Sequence, residues 1–335
     1  MNKTFIIAEA GANHDRDKKQ AYKLIDIAIK SSSNAVKFQT YSSETLYSKY
    51  TPDFAGYKNI PKLIKDIELP RTWQKDLKLY CDDNGIEFMS TPFDEKAVDE
   101  LYNLGIKRFK IAGFEATDPR FVKYVASTNL PIIISLGIGS KHKIPEIKKW
   151  IESQNDNADI TFLHANHAYP TPFKDINLGE IKFLKKWVKI HKNCSVGLSD
   201  HTEGILTPPL AVCMGAQVIE KHYTIDRNLP GPDHPFAIEP NELIKMVENI
   251  RLVETMLGER ERNSDSESNF TMAQRSVIVK GNVKKGDKIT TDNITTKRPM
   301  LKDSIPAIEY YKILGKTFNK NLVDDYILRW GDVNG

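Results

Sequence analysis

Eight short apolar runs punctuate the first 258 residues: "TFIIAEAG", "NAVKFQT", "GIEFMSTP", "KRFKIAG", "LPIIISLG", "DITFLHAN", "CSVGLSD" and "AQVIEKHYT". Most do not alternate apolar with polar residues as a half-exposed strand does, so each predicts a strand covered on both faces. In the segments between them, such as "KKQAYKLIDIAIKS", "DEKAVDELYNLG" and "KIPEIKKWIESQ", apolar residues recur at three- and four-residue spacing, which predicts helices packed along one stripe. "EPNELIKMVENIRLVETMLG" predicts a last helix that stops at Gly258. Eight strand-helix units in roughly 260 residues have the size and order of an α/β fold of the (β/α)8 TIM barrel type, over residues 1–258. An open doubly wound sheet has fewer strands and a glycine-rich first turn, and "AEAGANH" is not GxGxxG.

The composition changes after Gly258. "GERERNSDSESNF" is polar, charged and serine-rich, and predicts a linker over 259–270. "AQRSVIVKGNVKKGDKITTDNITTKRP" then predicts short strands broken by Gly and Asn, a small mainly-β domain over 271–335. A core that small is marginal alone, so this domain is expected to pack on something. A net charge of +4 on 335 residues is mild. It does not call for nucleic acid and suits weak attraction for anionic small molecules. No apolar run approaches the roughly 20 residues of a membrane helix, and the N-terminal apolar stretch is too short for a signal peptide. Three cysteines without metal-site spacing predict a reduced, cytoplasmic protein.

In a barrel, chemistry collects at the C-terminal strand ends, and every predicted strand here ends in polar residues. They are Glu9, Asn13 and His14; Lys37 and Gln39; Ser90 to Phe93; Lys110, with Glu115 just beyond; Ser135; His164, Asn166, His167 and Tyr169; Ser199, Asp200 and His201; Glu220 and His222. Glu220 and His222 are two apart and share a face. A buried carboxylate is costly unless it is paired or bound to a metal. His201 and His222 end consecutive strands, which are neighbours in a barrel. Two neutral imidazoles with one or two oxygen ligands make a divalent-metal site with open positions. The same pair also fits hydrogen-bonded histidines of a polar barrel mouth. Glu220 suits a general base or a partner that orients a ligand. Lys37 and Lys110, with Ser135 and Ser199, suit a pocket for phosphate or carboxylate; the alternative is that each lysine snorkels outward. Glu9 can pair with either lysine.

These stretches resemble the sialic acid synthase family, N-acetylneuraminate synthase and its legionaminate and pseudaminate relatives. The match runs through "IIAEAGANH", "VKFQT", "FMSTPFDEKAVDEL", "KIAGFE", "YPTPF", "GLSDHT", "IEKHYT" and "LPGPDH", then "AQRSVIVKGNVKKGD" and "TTKRP" in a tail similar to the antifreeze-like (SAF) domain. The resemblance implies condensation of phosphoenolpyruvate with an N-acetylated mannosamine-type aldose, giving a nine-carbon 2-keto acid and phosphate with the help of Mn2+ or Mg2+. It implies that His201 and His222 bind the metal, and that Lys37, Lys110, Ser135 and Ser199 hold phosphoenolpyruvate. Glu9, Gln39, Tyr169 and Asp233 would contact the aldose. Arg298 would reach the acetamido group in a partner's barrel, in a domain-swapped homodimer. Glu220 or Glu115 would orient the water that adds to carbon two, and Glu9 completes the catalytic carboxylates.

The chain departs from the family pattern in places. Gly113 stands where "KIxSGE" has a serine, "SLG" replaces "STG", His167 stands where some members have asparagine, and "KRPMLKDSIP" replaces "KRPGTGI". "GPDHPFAIEP" resembles the neuraminate and legionaminate branches, whereas "GFE" resembles the pseudaminate one. Three other activities fit parts of the pattern. A Schiff-base aldolase would use Lys37 or Lys110 and be trapped by borohydride. A glycoside hydrolase would use Glu9 and Glu220. A non-catalytic carbohydrate-binding relative would bind sugar without releasing phosphate.

Overall fold

The computed structural model describes residues 3–140, 142–258 and 265–334. The chain divides into two compact units, Met1–Gly258 and Glu259–Gly335. In the first, eight parallel strands follow in chain order: β1 (Phe5–Gly11), β2 (Ala35–Thr40), β3 (Glu87–Pro92), β4 (Phe109–Ile111), β5 (Ile132–Leu136), β6 (Ile160–Ala165), β7 (Cys194–Asp200) and β8 (Val218–His222). They pair in the order β3-β2-β1-β8-β7-β6-β5-β4. β3 and β4 also run side by side, which brings the two ends of the sheet together as a near-closed barrel.

The two-residue strand period explains why these runs look unalternated. Ile6, Ala8 and Ala10 of β1 and Val36 and Phe38 of β2 face outward into one buried apolar layer with Leu24 and Ile25 of the first helix. Ile7, Ala35, Met89, Ile133, Leu163 and Val218 face inward and fill the barrel floor. Both faces are therefore apolar up to the point where the inward set turns polar.

The helices begin and end where the sequence says. Asp17 caps Lys18–Lys30 by accepting from the Lys19 amide, and Asp94 caps Glu95–Leu104 by accepting from Ala97. Glu239 and Glu242 form a capping box on Pro240–Leu257, and Gly258 follows the last turn. Among the described residues no helix is long and apolar enough to cross a membrane.

The second unit holds an antiparallel pair, β9 (Ser276–Val279) with β10 (Ile294–Lys297), and a shorter pair, β11 (Thr317–Phe318) with β12 (Val333–Asn334). Its own apolar core includes Val277, Val279, Ile289, Ile294, Phe318 and Leu328. Of the expected linker, residues 259–264 lie outside the described residues; Asp265–Ser268 form a single helical turn.

Candidate active site

One step above the apolar floor, the next inward position carries a polar or charged side chain on every strand but β6, where it is Ala165. Register sets Glu9 opposite both Lys37 and His222, and Ser199 opposite Glu220. Following β8 upward, the inward residues are Val218, Glu220 and His222, so two-residue spacing carries the strand from floor to charged layer to mouth. A cavity of about 60 Å3 opens there, lined by Glu9, Lys37, Lys110, Ser135, His201 and Glu220 among others.

Four charges are buried in this layer. Lys37 Nζ lies 2.8 Å from Glu9 Oε2 and 3.6 Å from Glu220 Oε2, and donates to Thr91 Oγ1 at 2.8 Å. Lys110 Nζ lies 3.2 Å from Glu220 Oε1, which also accepts from Ser199 Oγ at 2.9 Å. Gln39 donates to Glu9 Oε1 at 2.8 Å. Each ion alone would cost several kcal/mol to bury, so the set is sustained by mutual pairing. The two lysines are 2% and 3% exposed, so neither snorkels outward.

The two carboxylates diverge. Burial raises both, but Lys110, Lys37 and the Ser199 hydroxyl outweigh it at Glu220 and hold it down to about 2. At Glu9, burial and the Glu220 charge outweigh Lys37 and push it up to about 7. A pair of acids driven apart in this way has one member suited to carry charge and one suited to hold a proton.

His201 and His222 meet at the mouth, with ring centroids 5.4 Å apart. His201 Nδ1 donates to the Asn166 carbonyl at 2.7 Å, which leaves Nε2 as a lone pair. Among the described residues His222 Nδ1 is buried without a hydrogen-bond partner; Asp233 Oδ2 stands 3.6 Å away. Burial lowers His201 to about 4 and His222 well below its usual range, so both rings are neutral at neutral pH. Among the described residues no three His, Cys, Asp or Glu side chains form a ready metal cluster. Two neutral imidazoles, one with an unpartnered buried nitrogen, nonetheless have the chemistry to hold a divalent cation with open coordination positions.

Asp233 is held close by Gly11, which ends β1 at φ 52°. A Cβ there would fall 2.7 Å from the Asp233 carboxylate. Tyr169 packs on His201 at 4.3 Å from the rim, where it is half exposed. Glu115 lines the larger neighbouring cleft of about 680 Å3, which shares Phe93 with the central cavity. Arg298 lies in the second unit, exposed to solvent.

Other strand-end residues serve packing. His164 bonds the Ile176 carbonyl at 2.6 Å, and His14 packs near Phe38 and Trp73. Thr91, within the strand end Ser90 to Phe93 already singled out, anchors Lys37. One partner was missed in the sequence. His234 bridges Asp15 at 2.9 Å and Thr224 at 2.6 Å, and no local pattern announces that.

Comparison with known proteins agrees with this geometry. The NeuB family model matches residues 24–262 and the SAF domain model residues 274–334. The N,N'-diacetyllegionaminic acid synthase of Campylobacter jejuni is 37% identical over 339 residues, covering 98% of this chain and 100% of that protein. A pseudaminic acid synthase of the same organism is 32% identical, covering 98% and 96%. The crystal structure of the N-acetylneuraminic acid synthetase of Leptospira borgpetersenii superposes with a TM-score of 0.73 at 33% identity, covering 80% of this chain and 90% of that one. The chain therefore belongs to the NeuB family, with a SAF domain at its C-terminal end.

Proposed function

We propose that this chain condenses phosphoenolpyruvate with an N-acylated mannosamine-type aldose and water, giving a nine-carbon 2-keto sugar acid and inorganic phosphate. The observation that carries the proposal is the juxtaposition, at one barrel mouth, of buried lysines and two neutral imidazoles. Lys110 has one partner among the described residues, Glu220, so two of its three ammonium protons remain for an anion. Ser135 Oγ, in the lining of the same cavity, is buried with no hydrogen-bond partner among the described residues. Together with Lys37 and Ser199 they would hold the phosphate and carboxylate of phosphoenolpyruvate.

Carbon three of phosphoenolpyruvate forms the new bond to the aldehyde carbon, the aldehyde oxygen becomes a hydroxyl, water adds at carbon two, and the bond from carbon two to the phosphate oxygen breaks. His201 and His222 would hold Mn2+ or Mg2+, which when bound polarises the aldehyde. Glu9, able to carry a proton near neutral pH, is suited to deliver the proton that turns the aldehyde oxygen into the hydroxyl. Glu220 or Glu115 would orient the water: Glu220 lines the central cavity and is held ionised by Lys110 and Lys37, whereas Glu115 lines the neighbouring cleft and burial raises its carboxyl. Gln39, Tyr169 and Asp233 would orient the aldose. By family resemblance, Arg298 would reach the acetamido group in the partner of a domain-swapped homodimer.

Among acylated aldoses, the greater identity to the diacetyllegionaminic than to the pseudaminic acid synthase favours a 2,4-diacetamido-6-deoxymannose. The test is phosphate release from phosphoenolpyruvate offered with that sugar and, separately, with N-acetylmannosamine. Release with either supports the reaction, and faster release with the first supports the sugar. No release with any acylated aldose would refute it.

A further inference from the structure

His234 is a fully buried imidazole that the proposed reaction does not use. Both of its nitrogens are engaged. Nε2 faces the two oxygens of Asp15 at 2.9 and 3.1 Å; a carboxylate only accepts, so Nε2 donates. Nδ1 shares a hydrogen bond with Thr224 Oγ1 at 2.6 Å. Asp15 lies in the loop between β1 and the helix Lys18–Lys30, and accepts from Gln20 of that helix at 2.6 Å. Thr224 lies just past β8. One ring therefore joins the loop after β8 to the loop after β1, two strands that are neighbours in the barrel. The backbone is bent to allow it. Asp15 and Arg16 hold φ of 49° and 54°, which L side chains seldom adopt. Gly231 has φ 145°, and a Cβ there would fall 2.9 Å from His234 Cδ2.

The group this ring steers stands beside it in the chain. His234 opens the 3-10 turn His234–Phe236, and Asp233 occupies the capping position without making a side-chain capping bond. An aspartate at that position ordinarily accepts from the first amides of the turn. This one faces the mouth instead. Its Oδ2 stands 3.6 Å from His222 Nδ1 and accepts a long bond, 3.4 Å, from the Ala12 amide. Phe236, at the far end of the turn, packs on His222 with ring centroids 5.1 Å apart. With so weak a hold of its own, the Asp233 carboxylate is placed by the turn, and the turn is placed by His234. We propose that His234, clasped to Asp15 and Thr224, is a positioning residue for the aldose that fixes Asp233 at the mouth, a role that rests on the reading of Asp233 as an aldose contact. Among the described residues no bond joins this clasp to Lys110, Ser135 or Ser199, so its effect falls on the sugar and not on phosphoenolpyruvate.

Steady-state phosphate release by the full-length protein, with each substrate varied in turn, tests this, and thermal melting establishes that each variant is folded. His234→Ala is expected to raise the KM for the aldose about tenfold, the worth of one misplaced hydrogen bond, and to leave the KM for phosphoenolpyruvate nearly unchanged. Asp15→Gly removes the carboxylate yet suits the positive φ. It is expected to raise the same constant, and it decides the matter where His234→Ala fails to fold. The two together should do no more than either alone, because they break one bond. His234→Gln, whose amide nitrogen reaches the Nε2 position, is expected to restore most of the loss. In an Asp233→Ala background, His234→Ala is expected to add little. Unchanged aldose KM in Asp15→Gly and in folded His234→Ala, with Asp233→Ala impaired, would overturn the clasp alone. Unchanged aldose KM in Asp233→Ala would overturn the reading of Asp233 and the clasp with it. Equal losses for both substrates, or full addition of the His234→Ala and Asp233→Ala losses, would make His234 a general support of the barrel and would also overturn the role. An unmodified chain that releases no phosphate with 2,4-diacetamido-6-deoxymannose or N-acetylmannosamine would overturn the proposed function and the clasp together.

Discussion

Lys37 and Lys110 share a layer, but their surroundings differ. Lys37 faces Thr91, Glu9 and Glu220, whereas Lys110 faces only Glu220 among the described residues. The free ammonium protons belong to Lys110, so Lys110→Met is expected to raise the KM for phosphoenolpyruvate by tenfold or more while the KM for the aldose changes little. Steady-state kinetics with each substrate varied would show it, and equal effects on both constants would contradict the anion-pocket role. Lys221 points the other way from its neighbours on β8. It is 1% exposed, and its Nζ lies 2.7 Å from Asp200 Oδ2. Lys221→Ala strands a buried carboxylate, a loss of about 3–5 kcal/mol by analogy with other broken buried pairs, measurable by urea denaturation. The sequence showed Glu220 and His222 sharing a face because two-residue spacing is local. It did not show the Lys221–Asp200 pair, because that contact depends on which strand lies next door.

Among the elements, the strands were the most legible, since an apolar run covered on both faces has few other fates. β4 was overread: "KRFKIAG" yields a strand of only Phe109–Ile111, because the chain turns at once into the 3-10 turn Glu115–Thr117. The segment between β2 and the helix Gln74–Asp83 carried no reading at all. Its helix Ile60–Ile67 buries only Ile60, so it leaves no core stripe to recognise. Asp94, which begins the helix after β3, ties that segment down by accepting from Ala97, Thr45 and Arg71 at 2.7, 2.8 and 2.7 Å. Burial raises its carboxyl, but the bonds from Thr45, Ala97 and Arg71 outweigh that and hold it below the usual range. Asp94→Ala is expected to cost about 1–2 kcal/mol in thermal or urea unfolding. Because the folded value is depressed, this contribution is complete above the ordinary aspartate value near ~4 and fades as pH falls toward the folded value, so the gap between the two proteins should narrow in acid.

For the whole molecule, two separately cored units carry one proposed reaction. The barrel holds the charged cavity and the imidazole pair, and the second unit has a core of its own. Arg298→Ala is expected to raise the KM for the aldose without changing that for phosphoenolpyruvate, and sedimentation of the intact protein is expected to give a dimer. A monomer with full activity would contradict the swapped arrangement. The central claim is that a divalent cation held by His201 and His222 draws the aldehyde toward phosphoenolpyruvate anchored at Lys110. The most direct test is phosphate release with both substrates before chelation, after exhaustive chelation, and after Mn2+ is restored. The account predicts loss of release and then recovery in the unmodified chain, with no recovery in His222→Ala. Undiminished release from fully chelated protein, or full turnover by His222→Ala, would contradict it.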